Sequence, residues 1–296
     1  MKVLTYRAGG RQSLGLLDEQ QRVHDLTQAV GTTDLTELIA RWNELRAALT
    51  GDGPSLPLAE VELLAPLPRP RRNVFCVGKN YREHAAEFGA SGYDAGSDTR
   101  AADHVPTAPV VFTKPPSSVV GPGAVVESHP TVTKELDYEA ELAVIIGRSG
   151  RDIPASEAAQ HVWGYTAVND VTARDRQRDH EQWFLGKGLD TFCPMGPYAV
   201  TADEVDPGGQ ARPELDVECR VNGELRQKAS TLDLVFDIPT LIETISAGLT
   251  LQPGDVIATG TPAGVGIGFD PPRFLQAGDL VEVSISGIGT LRNRIG

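Results

Sequence analysis

The sequence of 296 residues has few cysteines and no long apolar run. Cys76, Cys193 and Cys219 are odd in number and far apart, and no two of them form a C-x-x-C pair. This pattern argues against a disulfide framework and against a zinc knuckle, so we expect reduced, buried thiols. No apolar run reaches the roughly 18–20 residues of a membrane span, and residues 1–12 turn polar too early for a signal peptide. We therefore expect a cytoplasmic protein that does not enter a membrane.

Basic residues are also scarce relative to acidic ones. The sequence has 27 Lys and Arg against 40 Asp and Glu, which gives a formal net charge of -13 and a pI of about 4.9. This balance argues against binding to nucleic acid or to anionic membranes. It would also repel an anionic substrate, so a site for a small acid must gain positive charge from Lys, Arg or a bound cation. The hydrophobic fraction of 40% is ordinary for a globular protein with a buried core.

The first 68 residues are predicted to form a small N-terminal α+β domain. Its strand-like stretches come first, near residues 3–6, 14–17 and 23–26. Apolar residues then repeat at spacings of three and four from Leu35 to Leu49, which places them on one face of a helix. Asp34 is a suitable N-cap for this helix, and Glu37 is positioned to complete a capping box.

Residues 73–296 are predicted to form the main domain. The 31 Gly and 21 Pro of the sequence favour many strands and turns over long helices. Residues 278–296 alternate apolar and polar side chains around a turn at 287–289, which predicts a hairpin. Residues 89–108 differ, because they contain Gly, Ser, Asp and Thr and almost nothing to bury. A stretch of this kind inside a compact domain predicts a lid or an insertion.

Two glutamates in a strand-like segment indicate a metal site. Glu139 and Glu141 are two residues apart, so they share one face of a strand with Cα atoms roughly 7 Å apart. The residues around them are apolar, and two buried carboxylates side by side repel each other unless a proton or a cation compensates. Mg2+, Mn2+ and Ca2+ prefer such oxygen ligands. The alternative is an edge strand whose glutamates face water.

A third carboxylate follows a short apolar strand. Asp170 comes after the segment 165–169 and before a very polar run. A carboxylate at the end of a strand is well placed to join a site on a neighbouring strand. The alternative is that Asp170 caps a helix that begins near Thr172.

Two further segments indicate that an anion is bound. Lys187 lies between two glycines, which allow the backbone to approach a ligand, so its ammonium can hold a carboxylate or an oxyanion. Residues 258–266 are rich in Gly and Thr, and their N–H groups can form an anion nest. Neither segment matches a nucleotide-binding motif. The alternative for Lys187 is a lysine in an exposed turn, and the alternative for residues 258–266 is a purely structural turn.

A histidine and a glutamate are predicted to form an acid–base pair. Residues 80–87 have a helical pattern, which places His84 and Glu87 one turn apart on the same face. A histidine held by a carboxylate is a suitable general base for water. The alternative is a surface ion pair, but the position just before residues 89–108 favours a base carried on a closing lid.

Six motifs, taken in their order along the chain, resemble the fumarylacetoacetate hydrolase family. They span about residues 73 to 294. The motifs are Asn-Tyr-x-x-His-x-x-Glu at 80–87, Phe-Thr-Lys-Pro at 112–115, Asp-Tyr-Glu-x-Glu-Leu at 137–142, Asn-Asp-x-Thr-x-Arg-Asp-x-Gln at 169–177, Gly-Lys-x-x-Asp at 186–190 and Thr-Gly-Thr-Pro-x-Gly-Val-Gly at 259–266. The segment after Lys187 resembles the bacterial catabolic branch, with acylpyruvate hydrolases and 2-hydroxyhepta-2,4-diene-1,7-dioate isomerases.

The resemblance implies a fold and a cofactor. The expected fold is α+β and mainly β, a mixed β-roll or sandwich around the metal site, preceded by the small N-terminal domain. Glu139, Glu141 and Asp170 would bind Mg2+ or Mn2+, or Ca2+ as in some relatives, and no organic cofactor is expected. The partners implied are a small anionic 2-oxo acid and a second copy of the chain in a homodimer.

The resemblance also implies a reaction. His84 and Glu87 would activate water, and Lys187 would hold a substrate oxygen or carboxylate. The other residues implied to contact the substrate are Tyr81, Lys114, Arg174, Gln177 and Thr261. We therefore predict a hydrolase that cleaves a C–C bond in a small 1,3-diketo or 2-oxo acid, such as an acylpyruvate or a diketo sugar acid.

The same site is compatible with other functions. A 2-hydroxy-dienoate isomerase or an oxaloacetate-type decarboxylase or tautomerase needs the same enolate but no attacking water. A non-catalytic module, in which the metal serves only structure, is a further alternative. The chain also departs from the family, since its N-terminal segment is shorter than in fumarylacetoacetase itself and residues 89–108 are longer than in compact relatives. These departures leave the identity of the substrate open.

Overall fold

The computed structural model describes residues 1–51, 54–93 and 105–296. The lid or insertion predicted at 89–108 falls mostly on residues 94–104, which lie outside the described residues. Of its described ends, Gly89 and Ala90 belong to a helix that continues from the predicted His84–Glu87 segment.

The strands alternate with short turns through most of the chain. In the described residues they are β1 (Lys2–Ala8), β2 (Arg11–Leu17), β3 (Arg22–Asp25), β4 (Ser55–Pro57), β5 (Glu62–Leu63), β6 (Val74–Gly78), β7 (Val110–Lys114), β8 (Val119–Val120), β9 (Val125–Val126), β10 (Leu136–Asp137), β11 (Ala140–Ile146), β12 (Val162–Asn169), β13 (Thr172–Ala173), β14 (Cys193–Thr201), β15 (Asp216–Val221), β16 (Glu224–Ser230), β17 (Val256–Ala258), β18 (Leu280–Ile285) and β19 (Gly289–Ile295).

The helices are short. The α-helices of the described residues are α1 (Thr27–Val30), α2 (Leu35–Ala40), α3 (Trp42–Leu45), α4 (Arg82–Ala90), α5 (Arg174–Asp179), α6 (Phe184–Lys187), α7 (Ala202–Val205) and α8 (Ile238–Ser246). Turns of 3-10 helix are found at Arg46–Ala48, Leu58–Glu60, Pro116–Ser118, Ala155–His161, Thr231–Asp233 and Gly266–Gly268. Among residues 1–51, 54–93 and 105–296, no helix has the length and apolar character required to cross a membrane.

The predicted N-terminal helix is interrupted. Asp34 caps it as predicted, because its side chain accepts a hydrogen bond of 2.8 Å from Thr36 N. Glu37 does not close a capping box; its carboxylate accepts instead from Thr32 Oγ1. The helix breaks at Arg41, whose backbone leaves the helical region, and continues as α3 and a 3-10 turn. The apolar residues that repeat from Leu35 to Leu49 are nevertheless mostly buried, as their spacing of three and four predicts.

One large sheet organises the chain. Its strand order is β4-β3-β2-β1-β14-β12-β11-β17-β6-β7, and the pairs along this order are antiparallel except for β17 with β6. Beside this order, β5 pairs with β1 in antiparallel and β8 with β14 in parallel. The N-terminal strands enter this sheet because β1 pairs with β14, with Lys2 opposite Val200 and Val3 opposite Ala199. The division into residues 1–68 and 73–296 thus runs through one hydrogen-bonded sheet, and it remains a prediction.

A second sheet packs over the first. Its order is β16-β15-β18-β19-β9, and β18 and β19 form the hairpin predicted for the last residues. Strand β11 is buried along its whole length between the two layers. Its side chains at even positions from 140 to 146 join a core with β15, β18 and α8, and those at 143 and 145 join a core with α2 and β1. The mainly β fold expected from the sequence is confirmed.

Candidate active site

The three predicted metal ligands meet at one end of the β11–β12 pair. Ala140 lies opposite Asn169 in this antiparallel pair, so Glu139 just before β11 and Asp170 just after β12 are neighbours. Their backbones are joined by a hydrogen bond of 2.8 Å from Asp170 N to Glu139 O. Carboxylate oxygens of Glu139, Glu141 and Asp170 lie within 4.8 Å of one another, and all three residues are buried. This group of three carboxylates can bind a divalent metal ion.

Two cations hold Glu139 in its charged form. Lys187 Nζ donates to Glu139 Oε2 at 2.7 Å and to Asp170 Oδ2 at 2.9 Å. Arg174 Nη2 lies 2.7 Å from Glu139 Oε1. Burial by itself raises the pKa of Glu139, but the charges of Lys187 and Arg174 outweigh it and bring that pKa to about 2. Glu139 is therefore ionised and available as a ligand at neutral pH.

Glu141 has much weaker compensation. Its Oε2 accepts a hydrogen bond of 2.8 Å from Gly260 N. Burial, reinforced by the negative charges of Asp170 and Glu139, raises the pKa of Glu141 well above its ordinary value. Gly260 approaches this closely because it has φ +106°, and a Cβ there would lie 2.7 Å from Asn80 Cβ. The charge of Lys187 lowers this pKa only in part, so the neutral form of Glu141 is favoured unless a further cation stabilises its carboxylate.

An incompletely bonded oxygen of Asp170 also fits a cation. Asp170 Oδ1 lies 2.7 Å from Lys114 Nζ, yet within the described part of the chain it accepts no hydrogen bond of good geometry. The distance identifies an ion pair, and the angles leave a lone pair of this buried oxygen without a donor. Three carboxylates with these charges suit hard divalent cations such as Mg2+, Mn2+ or Ca2+. The residues present therefore fit the predicted metal.

Lys114 lies behind the metal ligands and not in the cavity. Its side chain is fully buried, and Nζ contacts the carboxylate of Asp170 and the carbonyl oxygens of Val171 and Lys187. The sequence resemblance implies that Lys114 contacts the substrate. Its position instead joins the end of β12 to the end of α6, the two segments that carry Asp170 and Lys187.

We expect Lys114→Met to weaken Mn2+ binding by about 10- to 100-fold, the usual effect of losing a contact that orients a metal ligand. It should also lower the free energy of unfolding of the metal-free protein by about 3–5 kcal/mol, because Asp170 loses a buried partner. Calorimetric titration with Mn2+ and urea unfolding measure the two effects. Lys228→Met is the control, since Lys228 forms an exposed pair with Glu218 at 2.9 Å. Equal Mn2+ affinity in both variants would contradict the role of Lys114.

Asp137 is a buried residue of the site that sequence reasoning missed. It accepts hydrogen bonds from Arg174 Nε at 2.8 Å, Gly266 N at 2.6 Å and Ile267 N at 3.2 Å. Its position at the start of the Asp-Tyr-Glu motif is the signal that could have found it. Although burial lowers the pKa of Arg174, the charges of Glu139 and Asp137 outweigh it and raise that pKa. Asp137 thus keeps the Arg174 guanidinium charged and fixed beside Glu139.

His84 and Glu87 form the predicted pair on α4. Nδ1 of His84 lies 3.2 Å from Glu87 Oε2, and His84 is 4% exposed. Glu87 is fixed in turn, because both of its oxygens accept from Gly264 N, at 3.0 and 3.3 Å. A Cβ on Gly268 would lie 1.7 Å from Glu87 Oε1, so the 3-10 turn packs directly on this carboxylate. With Nδ1 engaged, Nε2 is the ring nitrogen left for proton exchange.

Of two further predicted substrate contacts, Thr261 lines the cavity and Tyr81 does not. Thr261 Oγ1 donates to Ala140 O at 3.0 Å and accepts from Gln227 Nε2 at 2.8 Å. Gln227 is buried on β16, and nothing in its strand pattern distinguishes it from a structural residue. Tyr81 immediately precedes α4 and pairs with Leu234 in an isolated β-bridge. Burial, with the charge of Glu141, raises the pKa of Tyr81, so its hydroxyl remains protonated.

One cavity brings most of these residues together. It has an empty volume of about 280 Å3, and the predicted residues that line it are His84, Glu139, Glu141, Arg174, Gln177, Lys187 and Thr261. Tyr81, Glu87, Lys114 and Asp170 do not line it. Lys79 lines it and was missed from the sequence. It has φ 55°, unusual for lysine, and its ammonium lies 5.3 Å from the centre of the Phe88 ring.

Comparisons with known proteins identify a family and related folds. The family profile described as "Fumarylacetoacetate (FAA) hydrolase C-terminal" matches residues 73–296. Oxaloacetate tautomerase YisK of Bacillus subtilis is 54% identical over 239 residues, 81% of this chain and 74% of the relative. The fumarylacetoacetate hydrolase of Exiguobacterium antarcticum superposes with a TM-score of 0.85 at 46% identity, covering 100% of this chain and 99% of the other.

A further solved structure contains a metal. The maleylpyruvate hydrolase of Sphingobium sp. SYK-6, in complex with manganese(II) and pyruvate, superposes with a TM-score of 0.79 at 32% identity. The match covers 100% of this chain and 98% of that one.

Proposed function

Because the chain belongs to the fumarylacetoacetate hydrolase family, a family of enzymes, we propose that it interconverts the keto and enol forms of a small 2-oxo dicarboxylate in a divalent-metal-dependent reaction. The observation that carries the proposal is one cavity lined by His84 and by two of the three clustered carboxylates. The similarity to an oxaloacetate tautomerase at 54% identity supports the substrate class.

The chain's residues have distinct roles in this proposal. When bound by Glu139, Glu141 and Asp170, Mg2+ or Mn2+ supplies a Lewis acid that favours the enolate over the ketone. Lys187 and Arg174 hold these ligands and add positive charge to a cavity that must accept an anion. This local charge overcomes the repulsion expected from the net charge of -13.

His84 moves the proton. Nε2 takes a proton from the carbon next to the 2-oxo group, and the electron pair of that C–H bond becomes the enolate. The same proton, or one from solvent, is then delivered to oxygen to give the enol, and His84 returns to its starting state. Glu87 orients the ring through Nδ1 and stabilises the imidazolium while the proton is held. The reaction therefore needs no added water.

Hydrolysis of a C–C bond, the reaction predicted from the sequence, is the second candidate. The observation in its favour is the similarity to maleylpyruvate hydrolase over the whole chain at 32% identity. His84 would then take a proton from water, whose hydroxide attacks the distal carbonyl. The C–C bond breaks to give a carboxylic acid and an enolate, which accepts the proton. Both candidates thus need the same enolate and the same base.

One set of assays distinguishes the candidates. Metal-stripped protein, with and without restored Mg2+ or Mn2+, is given the enol of oxaloacetate and, separately, acetylpyruvate. We expect metal-dependent loss of the oxaloacetate enol faster than any release of pyruvate or CO2. Pyruvate release from acetylpyruvate alone would establish the hydrolase, and metal-dependent CO2 release would establish a decarboxylase. If Mn2+ is shown to bind and neither substrate reacts, the metal has only a structural role.

A further inference from the structure

The cavity has an apolar wall as well as its charged residues. Val77, Gly78, Phe88 and Trp183 line it together with the carboxylates. The Trp183 ring packs edge-to-face against two other rings, with centroid distances of 6.0 Å to Phe88 and 5.3 Å to Phe112. Trp183 is therefore held in an aromatic cluster and forms a defined part of the cavity surface.

The backbone position of Trp183 is linked to that of Lys187. Its carbonyl oxygen accepts hydrogen bonds from Gly186 N at 2.9 Å and from Lys187 N at 3.0 Å, so it begins the turn that presents Lys187. Residues four apart in a helix lie on the same face. The two side chains also share a neighbour, because Lys187 Nζ lies 5.1 Å from the centre of the Phe112 ring. The indole and the Lys187 ammonium thus both lie against the Phe112 ring and line the same cavity.

The indole also packs directly against the backbone of β6. A Cβ added to Gly78 would lie 2.3 Å from Trp183 Cζ3 and 2.8 Å from Cη2, so the ring rests on the glycine backbone. No substrate atom fits between them. The same cavity presents both the carboxylates and this apolar wall. A substituent of a substrate anchored at the carboxylates therefore meets the indole wherever it extends toward β6.

We propose that Trp183 sets the upper limit on substrate size and restricts this site to short 2-oxo acids. The inference rests on the proposed function, in which the 2-oxo and carboxylate groups are held at the metal ligands. Any chain beyond these groups must extend along the remaining cavity surface, of which the indole forms one wall. Removing the ring opens an apolar space continuous with the cavity, and longer alkyl chains gain both room and apolar contact there.

The test is the affinity of Mn2+-loaded protein for 2-oxobutanoate, 2-oxohexanoate and 2-oxooctanoate, measured by calorimetry. The wild-type affinity should fall with chain length. Trp183→Ala should bind 2-oxooctanoate at least about 10-fold more tightly than wild type, since each methylene in an apolar pocket changes affinity by such factors. Trp183→Leu, which keeps apolar volume, should give a smaller gain and serves if the alanine variant does not fold.

Trp42→Ala is the matched control. Trp42 packs edge-to-face on Trp163 at 5.3 Å, a geometry like that of Trp183 with Phe112, but it does not line this cavity. This variant should keep the wild-type dependence on chain length. An unchanged dependence in Trp183→Ala or Trp183→Leu would overturn the inference. Failure of the wild type to bind either 2-oxobutanoate or oxaloacetate with Mn2+ bound would instead count against the proposed function.

Discussion

We expect His84→Gln to lower kcat for keto–enol exchange by about 100- to 10,000-fold, the range for loss of a general acid–base group. Glutamine keeps much of the size and polarity of histidine, but it cannot accept and return a proton at neutral pH. His84 is not one of the clustered carboxylates, so Mn2+ affinity should change by no more than a few-fold. Steady-state kinetics and calorimetric titration of the same preparation measure both quantities.

His24→Gln is the control for this substitution. His24 also pairs with a carboxylate, with Nε2 at 2.8 Å from Asp18 Oδ2, but it lies on β3 in the N-terminal part of the sheet. It should leave kcat unchanged. Glu87→Gln should reduce kcat by a smaller factor than His84→Gln, because its amide oxygen can still accept from Gly264 N while the carboxylate charge is lost. Full activity in His84→Gln would show that another group transfers the proton.

Glu141→Gln should have opposite effects on the metal-free and metal-loaded protein. Without metal, burial and the charges of Asp170 and Glu139 raise the pKa of Glu141, so the ionised carboxylate is less stable in the folded chain than in the unfolded one. Its contribution to the free energy of unfolding falls as pH rises above the ordinary glutamate pKa. Glutamine removes that loss and keeps an oxygen for Gly260 N, so the metal-free variant should melt at a higher temperature than wild type at neutral pH.

With metal the order reverses. The variant has lost a ligand oxygen charge, and its Mn2+ affinity should fall by more than about 100-fold, beyond the effect of losing an outer contact. The rise in melting temperature that Mn2+ gives the wild type should therefore disappear. Thermal melts in chelator and in excess Mn2+ measure the two states, and activity should be lost with the metal.

Asp206→Asn tests whether this response is specific to the site. Asp206 is also a buried carboxylate, but it lies outside the cavity. It accepts a hydrogen bond of 2.6 Å from Ala211 N. Its replacement should leave Mn2+ affinity intact. If Glu141→Gln retained the full Mn2+ response, the assignment of the carboxylates as metal ligands would be wrong.

Local sequence patterns predicted the chemical groups of the site. The spacing of Glu139 and Glu141 follows from the two-residue repeat of a strand, and that of His84 and Glu87 from the turn of a helix. The structure places His84 and Glu87 on one face of α4 as the helical period requires, whereas Glu139 lies just before β11 and Glu141 within it, with their carboxylates close together. The mainly β fold and the C-terminal hairpin follow from apolar alternation between glycine turns.

The tertiary structure decided which side chains the cavity presents and which support it from behind. Lys114 on β7 pairs with Asp170 after β12, although three strands lie between β7 and β12 in the sheet. Gln227 reaches Thr261 from the second sheet, and Trp183 rests on Gly78 of β6. Periodicity reports only the face of an element on which a residue lies. Contacts between elements depend on how sheets and helices pack, so these positions emerged only from the folded chain.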